Sequence, residues 1–270
     1  MFTPLQAVAL FIAALLAGAL NSVAGGGSFI SFPALIVTGV PPIQANATNT
    51  VALWPGSLAS VAAYRRELRS VRYVALLSVT SIVGGVLGAY LLLHTPAATF
   101  SHLIPYLLLL ATGLFAFSPS ITRRLRGRAD HPDHTGIANG PHTGIANGPS
   151  RRALGSIALL QFVTAVYGGF FGGGIGIIML ATLALMGMED IHAMNGLKTV
   201  LATLINGVAT LTFLIDRAVV WPQALVMLVG AVVGGYAGAA VARRLDPLLV
   251  RRFVIVVGVV MTIYFFVRRA

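Results

Sequence analysis

Six long apolar runs divide the chain, at residues 4–24, 70–93, 99–117, 153–171, 219–242 and 253–267. Most approach the roughly 20 residues that carry a helix across a hydrocarbon core. Helix is expected in each, because lipid offers no partner to an unpaired backbone group. Two further stretches, 46–64 and 191–215, are long enough to cross but contain Asn, Thr and, in the second, Lys198. Two others, 28–38 and 175–188, are too short to span comfortably and follow directly on glycine triplets, so they read as half-helices or re-entrant pieces. The pattern predicts an all-α polytopic membrane protein with 8–10 membrane segments.

The pattern also occurs twice. Gly25, Gly26 and Gly27 are followed by NATNTV at 46–51, and Gly172, Gly173 and Gly174 by NGLKTV at 195–200. Further on, GGVLG at 84–88 corresponds to GGYAG at 234–238. The offset grows from 147 through 149 to 150, as small insertions in a duplicated segment would produce. Matched helix breaks in two halves of an apolar chain point to a transporter whose site lies between the halves. The division is a first membrane repeat over 1–118, a linker over 119–152 and a second repeat over 153–270.

Composition agrees. The chain is 57% hydrophobic and 9% charged, against about 25% charged in soluble domains. The first apolar run lacks a basic start and is too long for a signal-peptide core, so it is expected to remain as a helix. Absence of cysteine excludes disulfides, thiolate metal sites and cysteine nucleophiles. A net charge of +11 would suggest nucleic acid in a soluble protein, but here the arginines occupy loops between spans. That is a topological signal, since basic loops stay in the cytoplasm, and no nucleic-acid partner is expected. Inverted halves put 14 basic residues inside and parallel halves 13, which favours inversion by one residue.

The linker carries HTGIANGP at 134–141 and again at 142–149. A tandem copy rich in Gly, Pro and Asn cannot bury a core, so cytoplasmic disorder is expected. Its histidines, with His131, invite a metal reading, but a slipped duplication tolerated in a loop is the simpler account. Neither a metal nor a cofactor is expected.

Lys198 is the only lysine and stands where the first copy has Asn49. An ammonium within a membrane helix costs at least about 2.5 kcal/mol, so it should face a cavity or a partner. Asn195, Lys198 and Thr199 fall at i, i+3 and i+4 on one helix face, as do Asn46, Asn49 and Thr50. If those helices face each other, six polar groups converge near the midplane, with one positive charge and no carboxylate close in sequence. Such a site suits an anion. Backbone N–H groups at the starts of the half-helices, around Gly25, Gly26, Gly27 and Ser28 and around Gly172, Gly173 and Gly174, would cradle its oxygens. Asn and Thr can instead simply bond neighbouring helices, and the Gly84 and Gly234 clusters resemble close-packing contacts. Lys198 can also snorkel, or pair with Glu189 or Asp190. These two carboxylates are best read as capping a helix start, with proton carriage by either, or by His192, as the functional alternative.

The runs NSVAGGGSF at 21–29, PAL at 33–35, ANATNT at 45–50, GGFFGGGIG at 168–176 and NGLKT at 195–199 resemble the TauE/SafE family of membrane permeases. The resemblance covers both halves and implies export of sulfite or small organosulfonates such as sulfoacetate, energised by an ion gradient, across the inner membrane. The expectation is therefore a permease that moves a small inorganic or organosulfonate anion by alternating access, with a homodimer as one arrangement in the bilayer. The alternatives are an anion channel or a non-transporting membrane partner, separable by saturable, gradient-driven uptake. An intramembrane serine hydrolase built on Ser28 is disfavoured because His192 is the one nearby base.

Overall fold

A computed structural model describes residues 2–23, 26–63, 74–129, 151–185, 188, 191–241 and 247–269. These residues form ten helices: α1 (Pro4–Val23), α2 (Ser28–Val37), α3 (Pro42–Ala63), α4 (Val74–His94), α5 (Ala97–Ala129), α6 (Arg151–Phe170), α7 (Ile175–Leu185), α8 (Ile191–Ile215), α9 (Trp221–Val241) and α10 (Pro247–Arg269). No strand occurs among the described residues. The all-α polytopic membrane fold read from the apolar runs is the fold observed. Four helices contain stretches long and apolar enough to cross a bilayer, Pro4–Asn21, Val74–His94, Ala97–Phe117 and Ala193–Ile215, and shorter apolar helices accompany them.

The short stretches are helices of 10 and 11 residues, about 15 Å long at 1.5 Å per residue. Each covers only half of a bilayer. Helix α5 runs on to Ala129, so helix occupies the first part of the segment read as linker; the tandem copy at 134–149 lies outside the described residues. Pro55 lies within α3, and Trp221-Pro222 opens α9, where the missing proline N–H costs no intrahelical bond.

Close contacts fix the helix directions. Leu15 of α1 lies against Gly234 and Phe11 against Gly230 of α9, so these two helices run the same way. Gly84 of α4 meets Phe162 and Ala165 of α6, and Gly88 meets Val166 and Phe170, again in parallel. Side chains are excluded at these crossings: a Cβ on Gly88 would collide with the Val166 carbonyl oxygen, and one on Gly234 with that of Leu15. The glycine clusters are thus packing seams, where small residues let helices approach in a medium with no hydrophobic force between them. Helix α10 runs opposite to α5, with Tyr106 against Phe266 and Thr112 against Gly258.

One end of the molecule gathers the starts of α1, α3 and α9 with the end of α2, around Phe2, Gln6, Thr38 to Pro41, Gln44, Val220 and Gln223. A neighbouring hollow adds the start of α5 at Ser101 and His102 and the end of α10 at Phe265. Helices at the same place in the two halves therefore run in opposite directions: α1 against α6, α3 against α8, α4 against α9, α5 against α10. Their packing is matched as well, since α1 packs on α9 as α6 packs on α4, and α3 on α9 as α8 on α4. The opposite end receives the helix termini that flank Arg65 to Arg72, Arg123 to Arg128, Arg151, Arg152, Arg243, Arg244, Arg251 and Arg252 in the sequence. By the positive-inside rule that end is cytoplasmic.

Candidate functional site

Both breaks lie near the middle of the bundle. Where α5 and α10 cross at Thr112 and Gly258, Ala111 touches Gly174 of the second break and Val254 touches Gly26 of the first. Gly26, Gly172 and Gly174 have φ of +91°, +76° and +75°, which glycine adopts without the steric penalty of a Cβ. From the breaks, α2 returns to the neutral end, where Thr38 O accepts a hydrogen bond from Gln6 Nε2 at 3.2 Å. Helix α7 takes the mirrored path, packed on α5, α6 and α8.

The breaks largely satisfy their own polar groups. Gly27 N–H donates to Asn21 Oδ1 at 2.8 Å, Phe29 N–H to Gly26 O and Ile30 N–H to Gly27 O. In the second break Ile175 N–H donates to Gly172 O, and Ile177 and Ile178 N–H to Gly174 O. Fewer backbone donors are open than expected from four orphan N–H groups at a helix start. Among the described residues, the N–H groups of Ser28 and Gly176 carry no hydrogen bond. Gly25 lies outside the described residues.

The candidate side chains separate into two clusters. In the first, Asn49 is buried and bonded on both sides: Ser31 Oγ donates to its Oδ1 at 2.5 Å, and its Nδ2 donates to Ser28 Oγ at 3.2 Å. Asn46 Nδ2 donates to Phe170 O at 3.1 Å, tying α3 to the end of α6. Thr50 Oγ donates to the Asn46 carbonyl one turn back. In the second cluster Lys198 Nζ donates to Asn195 Oδ1 at 3.0 Å, and Thr199 Oγ donates to Asn195 O. The shared helix face inferred from the i, i+3, i+4 spacing is thus present in both copies. The Lys198 chain runs beside Gly176 in the first turn of α7.

The six groups do not converge on one point. Helices α3 and α8 are antiparallel and cross where Trp54 Nε1 donates to Thr203 O at 3.1 Å and Thr203 Oγ to Ser57 O at 3.3 Å. Asn49 and Lys198 lie on opposite sides of that crossing, about 10 Å and about 7.5 Å from it at 1.5 Å of rise per residue. The reason is the inversion: antiparallel helices bring equal positions together only at their crossing.

Exposure differs between the two sides. Residues 45–49 and 51–53 of α3 are buried, whereas Lys198, Thr199 and Val200 on α8 and Trp54 to Ser57 on α3 are half-buried and Leu58 is 50% exposed. The side chains around Asn49 are thus buried, and those around Lys198 are half-buried. No ion pair involves Lys198 among the described residues, whose sole carboxylate side chain, Asp216, lies beyond the far end of α8. Glu189 and Asp190 and the side chain of His192 lie outside the described residues, so the proton-carrier reading is not addressed by the geometry. Ser28 Oγ is held by the amide of Asn49, which is no general base.

Ser31 and Trp54 were not singled out in the sequence as site-forming. Ser31 falls at i+3 from Ser28 on the α2 face, a spacing that could have revealed it. Nothing in the sequence identified the Phe170 carbonyl.

Apolar helices broken at mid-depth in two oppositely directed halves, with a lysine beside one break, define a polytopic membrane transporter. The sulfite exporter TauE/SafE family profile matches residues 10–265. Over 255 residues the chain is 28% identical to a probable membrane transporter protein of Haemophilus influenzae, covering 94% of this chain and 91% of that protein. It is 30% identical over 264 residues to the probable membrane transporter protein YfcA of Escherichia coli K12, covering 97% and 90%. A probable membrane transporter protein, ORF9, of a Sinorhizobium species is 28% identical over 256 residues, covering 94% and 90%. No solved structure matches. The chain belongs to the TauE/SafE family and is a multi-pass membrane transporter.

Proposed function

We propose that the protein is a secondary permease that moves a small oxyanion, sulfite or an organosulfonate such as sulfoacetate, by alternating access driven by an ion gradient. The observation that carries this reading is Lys198: an ammonium inside a membrane helix, bonded to a neutral amide, beside the open first turn of α7. A cation kept there at a cost of some kcal/mol marks a substrate path. An anion arriving from the cytoplasmic side would take the ammonium and the Gly176 N–H as donors. Hydrogen bonds to charged groups contribute about 1.5–3 kcal/mol each, enough to hold a small oxyanion.

The first cluster would complete the site as the halves rock. Ser28 accepts from Asn49, leaving its own hydroxyl proton and its N–H to turn toward an anion. Asn46 stands apart: its amide nitrogen is held by Phe170 O, and the atom it leaves without a partner is an oxygen. We therefore assign first contact with the anion to Lys198, Asn195 and Gly176, with Ser28 and Asn49 joining only as the halves rock, and none to Asn46. Inverted halves that exchange conformations would open the site to each side in turn.

The test is a panel of sulfite, sulfate, sulfoacetate and chloride on purified protein, with melting temperature as readout, since a ligand that binds only the folded state stabilises it. One oxyanion is expected to raise the midpoint in wild type and in Lys198→Arg, and to lose its effect in a folded Lys198→Ala. Undiminished stabilisation in Lys198→Ala would remove the charge assignment. In proteoliposomes, uptake should saturate and follow an imposed ion gradient; non-saturating flux would mark a channel.

A further inference from the structure

The end of α6 is rich in unanswered oxygens. Helix α6 stops at Phe170 in the middle of the bundle, which leaves its last carbonyls without intrahelical partners and puts the negative end of the helix dipole there. The Tyr167 carbonyl is satisfied by the N–H groups of Phe171 and Gly172, and the Phe170 carbonyl by Asn46 Nδ2. The carbonyls of Gly168 and Gly169 receive no hydrogen bond among the described residues. A second, independent observation concerns Asn46 itself. The residue is 1% exposed, and its Oδ1 is buried with no hydrogen-bond partner among the described residues.

The identity of that atom is fixed by its neighbour. Exchanging Asn46 oxygen and nitrogen would set the oxygen against the Phe170 carbonyl, so the amide must donate there and the remaining atom must be an acceptor. A buried acceptor left unmade costs about 1–3 kcal/mol. It calls for a donor or a cation.

We propose that the C-terminal end of α6, together with Asn46 Oδ1, binds a small monovalent alkali cation, and that this cation is the coupling ion of the transport cycle. Neutral carbonyl and amide oxygens are hard ligands suited to such ions, and unwound carbonyls at half-helix ends commonly coordinate them in transporters. The charge type follows from the ligands. A divalent ion would want carboxylates, and no group of three His, Cys, Asp or Glu capable of holding a metal occurs among the described residues. A proton has no titratable group to occupy, since amides and carbonyls do not protonate near neutral pH. The ion would bridge α3 of the first half and α6 of the second, so its binding would bias the same contact that the halves must remake when they rock. The coupling role rests on the permease reading; the cation site does not.

The experiment is run first without any oxyanion substrate. Purified wild type in detergent is melted in NaCl, LiCl, KCl and choline chloride at equal ionic strength. Sodium or lithium is expected to raise the midpoint by several degrees over choline with a saturating dependence on concentration, and Asn46→Ala to lose that shift. Asn46→Asp, which keeps an oxygen at the position, is expected to retain it and serves if Asn46→Ala does not fold. Equal midpoints in all four salts, or an undiminished sodium shift in Asn46→Ala, would overturn the site. A sodium shift that persists with no oxyanion response would leave the cation site standing and remove the anion reading. An oxyanion response without any cation specificity would do the reverse.

Discussion

Asn49 and Lys198 occupy the same place in two oppositely directed halves, and their surroundings have diverged together. Around Asn49, α2 presents Ser28 and Ser31, and every polar atom of the asparagine side chain finds a neutral partner inside a closed packing. Around Lys198, the residues 147 positions after those serines are Ile175 and Ile178, and among the described residues the ammonium bonds a neutral partner on its own helix, Asn195. The same helix plan carries a tight polar clasp in one half and a half-buried positive site in the other. The difference teaches that the frame and the charge are separate properties of this molecule. Two breaks lie at mid-depth; a lysine on α8 where α3 has Asn49, and isoleucines on α7 where α2 has serines, leave a positive charge beside one of them.

That contrast can be broken at three depths. The largest effect is expected for the inversion itself. Because the chain has no cysteine, single cysteines at Thr95 and at Arg126 report the two ends. A membrane-impermeant maleimide added to intact cells should label the first and spare the second. Equal labelling of both would contradict the assignment of the basic end to the cytoplasm.

A smaller effect is expected at the seams between halves. Gly88→Ala forces a methyl against the Val166 carbonyl, and overpacking of this kind costs about 1–3 kcal/mol. Gly113→Ala, with nothing within 4 Å of the added carbon, should leave the midpoint unchanged or slightly raised, as a helix-interior Gly→Ala exchange contributes roughly 0.5–1 kcal/mol. Melting curves of the two variants should therefore move in opposite directions, and a shared shift would mean that α4 and α6 are not in such close contact. The smallest effect belongs to the clasp. Ser31→Ala removes one buried hydrogen bond to Asn49 and should destabilise by about 1 kcal/mol, while the response to anions at Lys198 stays intact. If Ser31→Ala removed the anion response and left the midpoint unchanged, the division between clasp and charged site would be wrong.

Much of this architecture was readable residue by residue. The apolar runs gave the helices, because in lipid only a helix can satisfy the backbone of a single segment. The glycine triplets gave the breaks, and the i, i+3, i+4 spacing gave the polar faces on α3 and α8. Inversion was barely readable, since arginine counts in loops differ by one residue between the two arrangements. Convergence of the six polar groups did not follow, since a helix face says which residues look the same way and nothing about where along a partner they land. The availability of the break's N–H groups was likewise overstated, because the hydrogen bonds to Asn21 Oδ1 and to the break's own carbonyls form only once the chain has turned back on itself.

By itself, then, the sequence determined that the protein lives in a membrane, that its helices break at two matched places, and that one ammonium stands against many neutral polar groups. Those are consequences of local composition and period, which a backbone in lipid has little freedom to contradict. Tertiary structure alone decided which ends meet, that Asn49 and Lys198 fall on opposite sides of the α3 and α8 crossing, and that Asn46 reaches the end of α6 with an oxygen left over. Those depend on the direction and depth at which distant helices pack, quantities set by interlocking glycine seams and side-chain volumes between segments far apart in the chain.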